Sequence, residues 1–182
     1  MTPVSRAALT QQDGLETVCI SKGQKPQKDF NHMSAATTHL PVDYVESARR
    51  HMQDAQILME ADRQANAGQL LGFSVECGLK ALLIACGVEP DPEGSVSFKS
   101  KFKTHMPELN NRLISCENLI PDGQRSTHYL AMLPNVDKFS DWKVDHRYFK
   151  ASALPLTSLP QWILAAQELN EMLDQAQIDG VM

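Results

Sequence analysis

The chain has no paired cysteine spacing. Its four cysteines, Cys19, Cys77, Cys86 and Cys116, form no Cys-x-x-Cys unit, and neither they nor the six histidines supply the close ligand pairs of a structural zinc site. They read as reduced thiols in or near a core, and no metal or cofactor is expected. Long hydrophobic runs are also missing. The longest, Ala81 to Val88, is too short to cross a bilayer, and the N-terminus holds Arg6 without the apolar stretch of a secretory signal. No membrane partner is expected, and the default compartment is the cytoplasm. No Gly-rich phosphate loop, Ser-centred nucleophile elbow or His-Glu-x-x-His motif occurs, which removes the common nucleotide-hydrolase and metalloprotease chemistries. No run of residues makes a convincing sheet, and there is no internal repeat.

What remains is a chain of 182 residues with 42% hydrophobic and 21% charged residues. That length suits one domain with a real core. The net charge of −5 argues against a protein that coats nucleic acid through bulk charge. The distribution is uneven. Between Ser95 and Lys150, nine Lys/Arg face six Asp/Glu, so this segment is +3 and the remainder −8. A basic segment on an acidic chain permits an anionic ligand at one site.

Residues 1–39 show no sustained period, are rich in Gln, Lys, Ser and Thr, and read as an irregular tail. Within them Glu16 to Ser21 suits one short strand, and Met33 offers an alternative start. Residues 40–179 read as an all-α, up-and-down bundle of four to five helices. The first helix is expected from Pro41 to about Gln64, with Asp43 and Glu46 in the turn where the dipole favours acids, and with Val45, Ala48, Met52, Ala55 and Met59 spaced by three and four. The second runs from about Ala67 to Cys86 and stops at Gly87, with Pro90 and Pro92 beyond. It is apolar nearly all round, as befits the middle of a bundle. Small residues (Gly72, Ser74, Gly78, Ala81, Ala85) suit close helix approach. Glu76 and Lys80, four apart, form an ion pair expected at a bundle edge, a cleft or a dimer face. Thr104 is expected to cap a third helix carrying Met106, Leu109, Leu113 and Cys116. A short segment follows from Thr127 to Leu133. Ser158 is expected to cap the last helix, whose stripe is Trp162, Ala166, Leu169, Leu173 and Ala176.

Three clusters carry chemistry. In Phe98-Lys99-Ser100-Lys101-Phe102-Lys103-Thr104-His105, three lysines interleave with two aromatics, a pattern suited to phosphate charge and base stacking. His105, beside a helix start, suits a neutral imidazole that accepts a proton. In Asp141-Trp142-Lys143-Val144-Asp145-His146-Arg147-Tyr148, a proton carrier, a phosphate-binding cation and a phenol are consecutive, with Lys143 beside them. Each also has a plain structural reading: a mobile basic loop, a capping histidine, and an aromatic anchor with a local Asp/Arg network.

Together, Ser74-Val75-Glu76-Cys77-Gly78-Leu79-Lys80-Ala81-Leu82, Thr104-His105-Met106-Pro107-Glu108-Leu109 and His146-x-Tyr148 give a chain that resembles the HEPN superfamily. These are domains of higher eukaryotes and prokaryotes linked to nucleotide and RNA functions, and the resemblance spans about residues 41–178. It implies an α-helical bundle, commonly a homodimer. In active members an Arg, four to six residues and a His form a metal-independent RNase site at the dimer cleft, and one toxin subgroup adds a Tyr two residues after the His. His146 and Tyr148 match the His and Tyr, but Asp141 stands where the Arg belongs. No Arg in this chain precedes a His at that spacing. A carboxylate there repels the scissile phosphate, and Arg147 is the one close substitute. The resemblance therefore implies RNA or nucleotide binding with weak or absent cutting. Its alternatives are an RNase toxin of a toxin–antitoxin or defence system and a non-catalytic interaction module, with a nucleotidyltransferase-type antitoxin as the expected partner. A homodimer through Phe73, Glu76 and Lys80 is expected because the central helix carries more apolar surface than a short bundle covers.

Overall fold

The computed structural model describes residues 41–182. The strand expected at 16–21, Cys19 and Met33 lie outside the described residues. Five α-helices form an all-α bundle: α1 (Tyr44–Glu60), α2 (Gln64–Ala85), α3 (Glu108–Ser115), α4 (Gly123–Leu130) and α5 (Leu159–Ile178). Among the described residues there is no strand, only one isolated antiparallel bridge between Pro90 and Val96.

Asp43 starts α1 by accepting the Glu46 N–H at 2.9 Å. Ala48, Met52 and Ala55 then bury one face against α2. The helix ends in a tight turn in which Asp62 takes a φ of 55° and the Arg63 N–H bonds the Leu58 carbonyl. That turn folds α2 back antiparallel to α1. In the buried seam between the two, the Ser74 hydroxyl donates to the Ala48 carbonyl at 2.8 Å. α2 stops as its sequence predicts: Gly87 has a φ of 90°, and the N–H groups of Gly87 and Val88 bond the carbonyls of Ile84 and Leu83.

The third long helix, α5, runs beside α2 in the same direction, because Gly68 meets Trp162 and Gly78 meets Leu169. α1 therefore runs antiparallel to α5, joined to it by Arg49 on Asp174. All five residues of the expected α5 stripe are buried. Among the described residues α2 alone is long and apolar enough to suit a membrane span, but most of it is buried inside the fold. This is the pattern of a core helix covered by α1 and α5.

Several boundaries differ from expectation. α1 starts at Tyr44 rather than Pro41, because Asp43 takes the cap. α3 starts at Glu108, not after Thr104, because Pro107 turns the chain and the Met106 N–H goes to Glu76 instead of a helix. α4 starts at Gly123, four residues early, because Asp122 accepts the Arg125 N–H and caps it. Ser158 occupies the N-cap position of α5, but its hydroxyl goes to Asp141 rather than to the helix. Between α4 and α5 the chain makes four short 3-10 turns, at 136–141, 144–148, 151–153 and 156–158. The first two are separated by extended backbone at Trp142 and Lys143, so Asp141 to Tyr148 is not one helix.

Trp142 explains that break. Its ring is fully buried against α2, and its Nε1 donates to the Gly68 carbonyl at 3.1 Å. A Cβ on Gly72 would stand 2.0 Å from Trp142 Cε2, so only glycine leaves room for the indole. We expect Gly72→Ala to lower unfolding free energy by at least about 3 kcal/mol, at the severe end of overpacking. Gly123→Ala, whose Cβ would meet nothing within 4 Å, should be neutral or stabilising by up to roughly 1 kcal/mol. Urea denaturation of the two variants checks both.

Candidate functional site

Two polar assemblies sit on one face of α2. Gln69 and Glu76 are seven residues apart, two helical turns, so both project to the same side. Gln69 Nε2 donates to the Val144 carbonyl at 3.1 Å and holds the 144–148 turn. Glu76 holds the segment that precedes α3.

Glu76 is 5% exposed and Lys80 7%. The Lys80 ammonium donates to Glu76 Oε1 at 2.6 Å, His105 Nδ1 donates to the same oxygen at 2.8 Å, and the Met106 N–H donates to Oε2 at 3.2 Å. The sequence suggested an ion pair at an edge or dimer face. Within the single chain both side chains are buried, and His105 and Met106 bond the Glu76 carboxylate. Thirteen of the 22 residues of α2 are buried, and Phe73 is half-buried between His51, at 5.7 Å, and Trp142, at 5.6 Å. His105 itself remains 62% exposed at its side chain.

The basic segment divides. Phe102 is buried and Phe98 is 84% exposed. Lys103 donates to the Ser95 hydroxyl and lies over the Phe98 ring, 4.6 Å from its centroid. Lys99 and Lys101 are exposed. They stand toward the C-terminal end of α2, apart from the 144–148 turn at its N-terminal half.

In the turn, each residue has a distinct fate. Asp141 is tied to α5: its Oδ2 accepts from the Ser158 hydroxyl at 2.6 Å and its Oδ1 from Trp162 Nε1 at 3.1 Å. His146 is buried, 9% exposed, beside Phe149 at 5.1 Å. Its Nδ1 accepts from the Lys143 backbone N–H at 3.4 Å, which leaves Nε2 to carry the proton of the neutral ring. Burial, and then Lys143, push its pKa below the ordinary 6.5, against the pull of Asp141 and Asp145. Arg147 and Tyr148 turn outward together, the guanidinium carbon 4.7 Å from the ring centroid and the phenol ring 74% exposed. Lys143, Phe149 and Lys150 are exposed with them.

Burial pushes the thiols of Cys77 and Cys86 up to about 11, which keeps these two protonated near neutral pH. Among the described residues no three His, Cys, Asp or Glu side chains gather in a way that could hold a metal ion.

Sequence reasoning missed the partners of these groups. Ser158 and Trp162 hold Asp141 from residues 17 and 21 further along, and no local pattern announces that. Gln69 carried no signal either. Phe149-Lys150, directly after Tyr148, were legible as an aromatic and a cation continuing the cluster. Compared with protein-family models, curated proteins and solved structures, the chain matches none.

Breaking the buried pair should cost more than removing it. Glu76→Leu strands the Lys80 ammonium and should destabilise by about 3–5 kcal/mol. Adding Lys80→Met should recover most of that loss, leaving a deficit of about 1–3 kcal/mol for the unpaired Met106 N–H. Urea midpoints of the single and double variants decide this, and a double variant no more stable than the single would contradict it.

Acid should weaken the fold through histidine before the carboxylates titrate. His146 and His51 both have pKa values lowered by burial; Arg50 lowers His51 further, and Asp54 opposes. The unfolded chain then binds more protons than the folded one. The stability these residues contribute is complete above 6.5 and is lost as pH falls from there toward the lowered folded values. Stability measured across about pH 7 to 5 should decline, and His51→Gln with His146→Gln should flatten the decline.

Proposed function

We propose that the chain is a HEPN-like helical domain that binds single-stranded RNA, or a nucleotide from it, through the exposed segment 143–150 and does not cut it. The observation that carries this reading is the outward pair Arg147 and Tyr148. A phenol ring 74% exposed with a guanidinium over its face is an open stacking platform with its own cation. Lys143, Lys150 and the half-exposed Phe149 extend it along the chain. Every base has a π-face, so such a strip binds without reading sequence.

The absence of cutting follows from the same residues. Metal-free cleavage needs an imidazole and a cation at one phosphate. His146 faces inward with Nδ1 engaged, Asp141 is held on Ser158 and Trp162, and Arg147 is committed to the ring of Tyr148. Lys143 acts on the imidazole through its charge, but the imidazole itself is buried.

Fluorescence anisotropy with a labelled single-stranded RNA should give saturable binding that weakens with salt, with a slope reduced by about 0.7 for each phosphate-contacting cation removed. Tyr148→Ala should weaken affinity by roughly 5- to 150-fold, the worth of about one stacked base. Incubation of the same RNA without metal should leave it intact. Unchanged affinity in Tyr148→Ala and Arg147→Ala would remove the binding reading. Robust cleavage lost in His146→Ala would replace it with the ribonuclease one.

A further inference from the structure

The loop between α2 and α3 carries charge that the segment 143–150 does not use. Ser97, Lys99, Ser100 and Lys101 line a cavity of about 520 Å³. Val88, Phe102 and Pro121 supply its apolar lining. The volume lies within the range of about 300–1,000 Å³ that small-molecule sites occupy. Among the described residues Lys99 and Lys101 enter no ion pair. The hydroxyls of Ser97 and Ser100 each accept a backbone N–H, from Lys99 at 3.3 Å and Phe102 at 3.2 Å, so each keeps its own proton to donate. Two lysines free of ion pairs and two serines with a hydroxyl proton to donate therefore line one cavity.

That wall is held in place. Arg112, itself on Glu108, donates to the Lys101 carbonyl, Lys103 is tied to Ser95, and Tyr44 bonds the same Ser95 hydroxyl at 2.9 Å. Glu76 fixes the far end of the loop through Met106. A site whose backbone is already ordered loses less entropy when a ligand arrives.

Glu89 is the one carboxylate in the lining. It disfavours a bare anion, but it accepts hydrogen bonds from a ligand that brings hydroxyl groups beside its charge. We propose that this cleft binds a sugar phosphate. The phosphate monoester sits between Lys99 and Lys101 with the serine hydroxyls, the sugar hydroxyls donate to Glu89, and the C–H face of the ring lies on Val88, Phe102 and Pro121. The site is separate from the segment 143–150. Gln69, which holds that segment, and Gly87, in the cavity wall, lie on the order of 25 Å apart along α2.

Calorimetric titration of the full chain with ribose 5-phosphate tests it, with inorganic phosphate and ribose as comparison probes. Ribose 5-phosphate should bind saturably and more tightly than inorganic phosphate, and ribose should not bind. Lys99→Gln with Lys101→Gln should weaken ribose 5-phosphate by about tenfold or more. Glu89→Gln should weaken ribose 5-phosphate while leaving inorganic phosphate unchanged or tighter. Tyr148→Ala should leave both unchanged, which separates this site from RNA binding. All four substitutions are of exposed side chains, and equal melting temperatures would confirm intact folding. Absence of saturable ribose 5-phosphate binding, equal affinity in the double lysine variant, or a Glu89→Gln variant that binds both probes more tightly would each overturn the proposal. So would lysine substitutions that weaken RNA while no sugar phosphate binds, since the cations would then serve a nucleic-acid backbone.

Discussion

A carboxylate buried at the centre of a helical bundle must be satisfied, and the Glu76 side chain sets how the chain between α2 and α3 runs. Its two oxygens take three donors: one from its own helix, one from a histidine at the surface and one from a backbone amide. An ion pair stripped of water holds its place only when its remaining lone pairs are also filled. His105 and Met106 fill them, and in doing so they pin the exit of a long loop to the middle of α2. The loop can then carry unpaired lysines without losing its shape. One to two turns toward the N-terminus, Trp142 does the corresponding task with an indole, filling the space left by Gly72 and donating to the Gly68 carbonyl. One helix face therefore positions both charged segments.

The three long helices were readable because each writes its packing into its own period. Ala48, Met52 and Ala55, and the stripe from Trp162 to Ala176, are buried as spaced, and Gly87 ends α2 in the conformation a terminal glycine supplies. The small residues of α2 were readable as close contacts, though not which ring would come. Between Phe139 and Ser158 the reading failed. Short 3-10 turns have no period long enough to see, and the break between the first two follows Trp142, which bonds α2 from 74 residues away. The same distance problem hid the fate of Asp141. Its place in the motif was plain, but the Ser158 and Trp162 donors that hold it become neighbours only in three dimensions.

That fate matters for chemistry. The Asp141 carboxylate has a structural task of its own. It is the receptor for two donors at the start of α5 and so helps seat the last helix. An arginine at 141 would remove that receptor, so the charge at this residue is coupled to the seating of α5. The neighbouring histidine is turned into the protein by the same backbone that turns Arg147 and Tyr148 out.

The parallel placement of α2 and α5 has a consequence for how the chain folds. α1 and α2 meet across a turn of three residues, a local contact formed at little loop-closure cost. α5 reaches α2 only by joining residues more than ninety positions apart, as Gly68 and Trp162 are. During synthesis the hairpin therefore emerges first, with the glycine groove of its apolar second helix open until the C-terminal residues leave the ribosome. For that interval the most hydrophobic of the described helices is half covered, and α5 closes it.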